Sequence, residues 1–170
     1  MFGWFTFARS SYLKQGRLAD VIAAIQAMAQ YERSSLRCAQ WADRISGDTG
    51  KAEYWRQIFN EHPEFFRRAP EDDERYALVW RRASPRRFHR GDRRMLTETQ
   101  FDALSDDEQS LCSRPPIEAA NVKTLVDVAI TLHSREWDRS RDYRWWISPV
   151  SGFFGAIVGV VLTWFLGIKR

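Results

Sequence analysis

Apolar residues recur at helical spacing through the first third of the chain. Leu18, Val21, Ile22, Ile25 and Ala29 share one face, which predicts a helix over residues 17–32. A second helix is predicted over 36–46, with Leu36, Ala39, Ala42 and Ile45 inward, Ser35 as N-cap and Gly47 as its stop. A third, over 50–61, is capped by Asp48 or Thr49, buries Trp55, Ile58 and Phe59, and ends at Pro63. The period then changes. Residues 65–68 and 75–82 read as two strands, with Tyr76, Leu78 and Trp80 alternating against Ala77, Val79 and Arg81. The connection between them, 69–74, is polar and contains Pro70.

Further on, Thr97 with Gln100 and Ser105 with Glu108 have capping-box spacing, which predicts two short helices. Pro115 and Pro116 then introduce a longer amphipathic helix over 117–146. Its stripe is Val122, Leu125, Val126, Ala129 and Leu132, which either packs on the preceding elements or pairs with a sister helix. Beyond His133 it becomes a charged, solvated stalk.

The last pattern is unbroken. From residue 145 to 168 there is no charged side chain, and these 24 residues exceed the roughly 20 needed to cross a hydrocarbon core. Trp145 and Trp146 at one end and Trp164 near the other suit the membrane interface, and Lys169 and Arg170 can snorkel beyond it. Ser148 and Pro149 suit a helix start. A single transmembrane helix is therefore predicted over 147–168. Residues 1–14 lack the basic region and cleavage site of a signal peptide, so the expected architecture is tail-anchored. Phe2, Trp4, Phe5 and Phe7 give segment 1–15 an apolar character, fit to touch the bilayer or pack on the domain. Arg135, Arg139, Arg141 and Arg144 precede the span against two basic residues after it, which places the N-terminal bulk in the cytoplasm, at the inner membrane if the source is bacterial. Within the span Ser151, Gly155, Gly159 and Thr163 recur every fourth position. Small residues let helix backbones approach closely in lipid, so these four are the expected self-association face of a homo-oligomer.

Three helices followed by a β-hairpin resemble a winged helix, over residues 16–83. The expected fold class is mainly α with a small β-hairpin. A connector (84–116), arginine-rich and then acidic, leads to the stalk helix (117–146) and the span. In DNA-binding winged helices the third helix enters the major groove. Here that helix sets Lys51 and Arg56 against Glu53 and Glu61, so it is neutral and offers no set of base readers. The resemblance therefore implies a protein-contact module.

Overall charge is modest, with 26 Lys and Arg against 22 Asp and Glu, but its distribution is uneven. Arg81, Arg82, Arg86, Arg87, Arg90, Arg93 and Arg94 fall together, with Asp92 the one acid among them. Clustered guanidinium groups attract phosphate, from anionic lipid first and nucleic acid second, or else pair with the acidic stretches 71–74 and 98–108.

Signs of catalysis are absent from the pattern. His62, His89 and His133 have no metal-ligand spacing, Cys38 and Cys112 form no redox pair, and no phosphate loop or nucleophile elbow occurs. Arg56 and His62 resemble the Rx4–6H motif of HEPN-type ribonucleases, but the strands after Pro63 contradict that helical fold. No cofactor or metal is expected. The chain reads as a non-enzymatic membrane protein whose cytoplasmic domain binds a protein partner while its span self-associates. The alternatives are a membrane-tethered nucleic-acid-binding regulator and a toxin-like or phage-defence effector acting on the bilayer.

Overall fold

A computed structural model describes residues 11–70 and 72–145, with side chains to residue 141. The chain is mainly helical, with two small antiparallel sheets. The apolar segment 1–10 and the span 147–168, with its Ser151, Gly155, Gly159 and Thr163 face and Trp146 and Trp164, lie outside the described residues. Among the described residues no helix is long and apolar enough to cross a membrane.

The first helix, α1 (Arg17–Gln30), buries Val21, Ala24, Ile25, Met28 and Ala29 completely. The sequence predicts α2 from Leu36, but it begins at Cys38 (Cys38–Ser46), because Ser35–Arg37 forms a strand, β1. Ser35 is therefore no N-cap; Arg37 holds that position, and Gln40 Oε1 accepts its backbone N–H at 3.1 Å. Three residues are too few to display a strand period, and the partner of β1 lies about forty positions away. Gly47 ends α2 in a left-handed conformation (φ 68), as a C-terminal glycine does. Asp48 accepts from Gly50 N–H and caps a short 3-10 turn, Thr49–Lys51, which leads into α3 (Ala52–Glu61).

Two strands follow, β2 (Phe66–Arg68) and β3 (Arg75–Leu78), and β1 and β2 both pair with β3 at the centre in the order β1-β3-β2. Leu36 faces Tyr76 and Phe66 faces Leu78 across the sheet. The predicted strand over 75–82 stops at Leu78, and a 3-10 turn, Val79–Ala83, replaces the rest. The turn breaks the two-residue alternation. Trp80, which alternation groups with the buried Tyr76 and Leu78, is 44% exposed, and Arg81, of the opposite set, is 1% exposed.

The connector is more ordered than its composition suggests. β4 (Phe88–His89), β5 (Arg94–Met95) and β6 (Cys112–Ser113) form a second sheet in the order β5-β4-β6. Between β5 and β6 lie α4 (Glu98–Asp102) and α5 (Asp106–Ser110), each closed by its expected capping box.

The last helix, α6, spans 27 residues (Ala119–Trp145). Val122, Leu125 and Ala129 enter the same core as α1, α2, α3 and β3, so the apolar stripe packs on the domain rather than awaiting a sister helix. The Ile117 N–H donates to Ala29 O at the C-terminal end of α1. At the other end, the charge of Glu136 bears on Tyr12, ahead of α1. α6 thus runs antiparallel to α1, and residues 137–141 toward its C-terminal end are exposed.

Candidate functional site

The arginines that cluster in sequence separate in space. Arg81 is buried. Its Nη1 donates to the carbonyls of Met28 (2.9 Å), Tyr31 (2.6 Å) and Arg33 (3.2 Å), its Nε to Pro115 O and its Nη2 to Arg114 O. It is a keystone of the fold and is not available to an anionic partner, because the 3-10 turn carries it inward. Burial, and then the nearby charge of Arg114, pulls its pKa down to about 10, which still leaves it protonated at neutral pH. Arg87 pairs with Glu98 at 3.3 Å and Arg94 with Asp92 at 3.4 Å. Arg93 takes a left-handed backbone (φ 51) in the turn between β4 and β5. Arg82 is exposed and lies with Arg67, Arg68 and Arg114 around a small pocket beside β2.

The remaining two, Arg86 and Arg90, enter a cleft of about 730 Å³ between the two sheets. Three arginines from distant parts of the chain join them there: Arg33 after α1, Arg75 at the start of β3, and Arg114 after β6. Asp72 is the one carboxylate among the described lining residues, and it faces Arg37 at 3.7 Å. A polar contact joins two of its lining residues. Ser34 N–H donates to Ser113 Oγ at 3.0 Å, which ties the start of the first sheet to β6.

The five guanidinium groups share one electrostatic feature. Among the described residues none has a carboxylate within ion-pair distance. Four of them contact backbone carbonyls instead, among them Arg86 Nε to Cys112 O (3.2 Å), Arg90 Nε to Leu111 O (2.7 Å) and Arg75 Nη2 to Ser35 O (3.4 Å). Arg114 donates to the carbonyls of Arg82 and Ser84. A carbonyl orients a guanidinium without cancelling its charge. Burial, with the charges of Arg82 and Arg86, lowers the pKa of Arg114, as expected where cations crowd. Sequence spacing could not join Arg33, Arg75 and Arg114 to the cluster, because they meet only through the pairing of β1 with β3 and β4 with β6.

Other candidates are accounted for by the fold. His62 is fully buried against the edge of the Tyr12 ring, and Arg56 pairs with Glu53 and Glu74, so the two do not form an exposed ribonuclease-like pair. Cys38 donates to Ala52 O, and burial pushes its thiol pKa up to about 11, away from reactivity. Among the described residues no group of three or more His, Cys, Asp or Glu is placed to hold a metal ion. Comparison of the chain with protein-family models, with curated proteins and with solved structures finds no match.

Proposed function

We propose that this protein is a membrane-tethered, non-enzymatic binding module. A winged-helix-like domain presents the arginine-lined cleft to an anionic cytoplasmic partner, α6 serves as its stalk, and the span 147–168 anchors and oligomerises it. The observation that carries this reading is the set of five cleft arginines without a carboxylate partner among the described residues. Crowded like charges destabilise a compact state, so such a cluster is best explained by a ligand that neutralises it.

The winged-helix reading is supported by the order of α1, α2, α3 and the β2–β3 hairpin, with β1 completing a three-stranded sheet. Reading of DNA by α3 is not supported. The one arginine of that helix is engaged by Glu53 and Glu74, and Asn60 and Glu61 are held by Arg68 and Lys14. An anionic ligand at the cleft fits better than a major groove at α3.

The test uses the full chain in neutral detergent on immobilised heparin, a generic polyanion. Retention that shifts to lower salt in Arg86→Gln/Arg90→Gln is expected. Carbonate extraction of membranes from cells expressing the full chain should leave it in the pellet. A chain that ignores heparin, or that carbonate releases, contradicts the corresponding half of the proposal.

A further inference from the structure

The position of the cleft restricts its ligand further than its charge does. Arg33 follows the C-terminal end of α1, and Arg114 precedes α6 by a few residues, so the cleft sits at the N-terminal end of α6. From there α6 runs 27 residues, about 40 Å, before the chain reaches the apolar span. That is several times the Debye length of about 8 Å at physiological ionic strength. On the tethered reading above, on which this inference rests, the cleft lies at the end of α6 remote from the anchor. The head groups of that bilayer are therefore a poor match for these guanidinium groups, although arginine clusters in general favour them.

The lining restricts the ligand again. Among the described residues no aromatic side chain lines the cleft, so it offers no platform on which successive bases of a single strand could stack. What it offers is guanidinium on several sides and serine hydroxyls, in a volume of about 730 Å³. Sites for small ligands occupy roughly 300–1,000 Å³. Arg86 is anchored through Nε, and Arg90 through Nε and Nη2 to Leu111 O and Ser110 O, and in neither does a carboxylate occupy the remaining edge among the described residues. A guanidinium held in this way is prepared for two parallel bonds to a phosphate.

We infer that the cleft binds a compact, soluble anion carrying two or more phosphate groups, gripped by Arg33, Arg75, Arg86, Arg90 and Arg114. The phosphates could come from an inorganic or polyol oligophosphate or from the phosphate chain of a nucleotide. The chemistry at the cleft is the same for both, and the experiment separates them.

The measurement is titration calorimetry on the full chain in nanodiscs of zwitterionic lipid, with tripolyphosphate, orthophosphate and a nucleoside triphosphate as probes. Tripolyphosphate is expected to bind at least tenfold more tightly than orthophosphate, and Arg86→Gln/Arg90→Gln to weaken it tenfold or more. Arg33→Glu guards against a folding artefact, since Arg33 is exposed and its side chain makes no hydrogen bond among the described residues; it should weaken binding in the same direction. A nucleoside triphosphate that binds more tightly than tripolyphosphate identifies a nucleotide source, and equal affinity identifies the phosphate chain alone; both support the inference. Binding of a single-stranded RNA that needs Arg86 and Arg90, with tripolyphosphate ignored, overturns the compact ligand and leaves the binding module standing. Tripolyphosphate binding unaltered in all variants overturns the assignment to the cleft. Failure of every probe, with heparin retention also lost, overturns both proposals.

Discussion

Arg81 Nη1 lies 2.9 Å from the carbonyl oxygen of Met28, in the last turn of α1. The final carbonyls of a helix have no partner within it, and their dipole favours a cation. Here the shortfall is met from three directions: Tyr31 N–H serves Ala27 O, Arg81 serves Met28 O, and Ile117 N–H serves Ala29 O. The same guanidinium reaches Arg114 O and Pro115 O. One side chain thus closes α1, fixes the approach to α6 and, through the carbonyls of Arg33 and Arg114, ties together two residues of the cleft lining.

Replacement of Arg81 by methionine should be among the most damaging changes in the domain. Each buried acceptor left without a donor costs about 1–3 kcal/mol, so a loss of at least ~3 kcal/mol is expected, partly offset by easier burial of the neutral chain. Arg81→Lys should recover only part of it, since an ammonium cannot reach five carbonyls in a planar fork. Thermal melts of the full chain in detergent, followed by tryptophan fluorescence, provide the readout. A methionine variant within about 0.5 kcal/mol of the parent, the range of an ordinary surface change, would remove Arg81 from this role.

Acid sensitivity should reside partly in Glu64. Burial raises its pKa, but hydrogen bonds from His62 and from the Tyr12 hydroxyl outweigh this and hold it below the usual 4.5. A carboxyl depressed in the folded state contributes stability above its unfolded pKa and loses it as pH falls through the folded one. The melting temperature is therefore expected to decline as pH drops below 4.5, with a shallower decline in Glu64→Gln. Equal slopes in the two proteins would show that the Tyr12–Glu64–His62 contact contributes nothing to the acid limb.

The sequence made some of this legible and hid the rest for physical reasons. The faces of α1 and α3 could be read because Val21, Ile25, Trp55 and Ile58 repeat over several turns. The capping boxes at Thr97 and Ser105 could be read because both partners lie three residues apart. β1 could not, since Leu36 looks like the first apolar residue of α2 until Tyr76 is found opposite it. Residues 79–82 read as strand because a 3-10 turn has no signature there, so simple alternation misplaces Trp80 and Arg81. For the cleft, Arg86 and Arg90 were visible as members of a cluster. Arg33, Arg75 and Arg114 stand alone in sequence and are gathered only by long-range pairing.

On the proposed tethered reading, the span 147–168 should associate through its small residues. In lipid no hydrophobic effect drives helices together, so close backbone contact over Gly155 and Gly159 has to supply the attraction. Gly155→Ile and Gly159→Ile are expected to abolish crosslinked oligomers in membranes while leaving carbonate-resistant insertion intact, and Val160→Ile to change neither. Glycine variants that crosslink like the parent would move any association to other parts of the chain.

On the proposed reading, space rather than sequence proximity selects the anion-binding arginines. Two triple variants of the full chain test it, each removing three positive charges. Arg33→Gln/Arg86→Gln/Arg90→Gln removes three of the five cleft arginines, and Arg87→Gln/Arg93→Gln/Arg94→Gln thins the linear cluster outside it. Because the change in net charge is matched, the salt concentration that elutes each from immobilised heparin compares placement alone. The cleft variant is expected to elute at clearly lower salt than the parent, with the linear-cluster variant close to the parent. Equal losses in the two, or a greater loss in the linear-cluster variant, would contradict the claim.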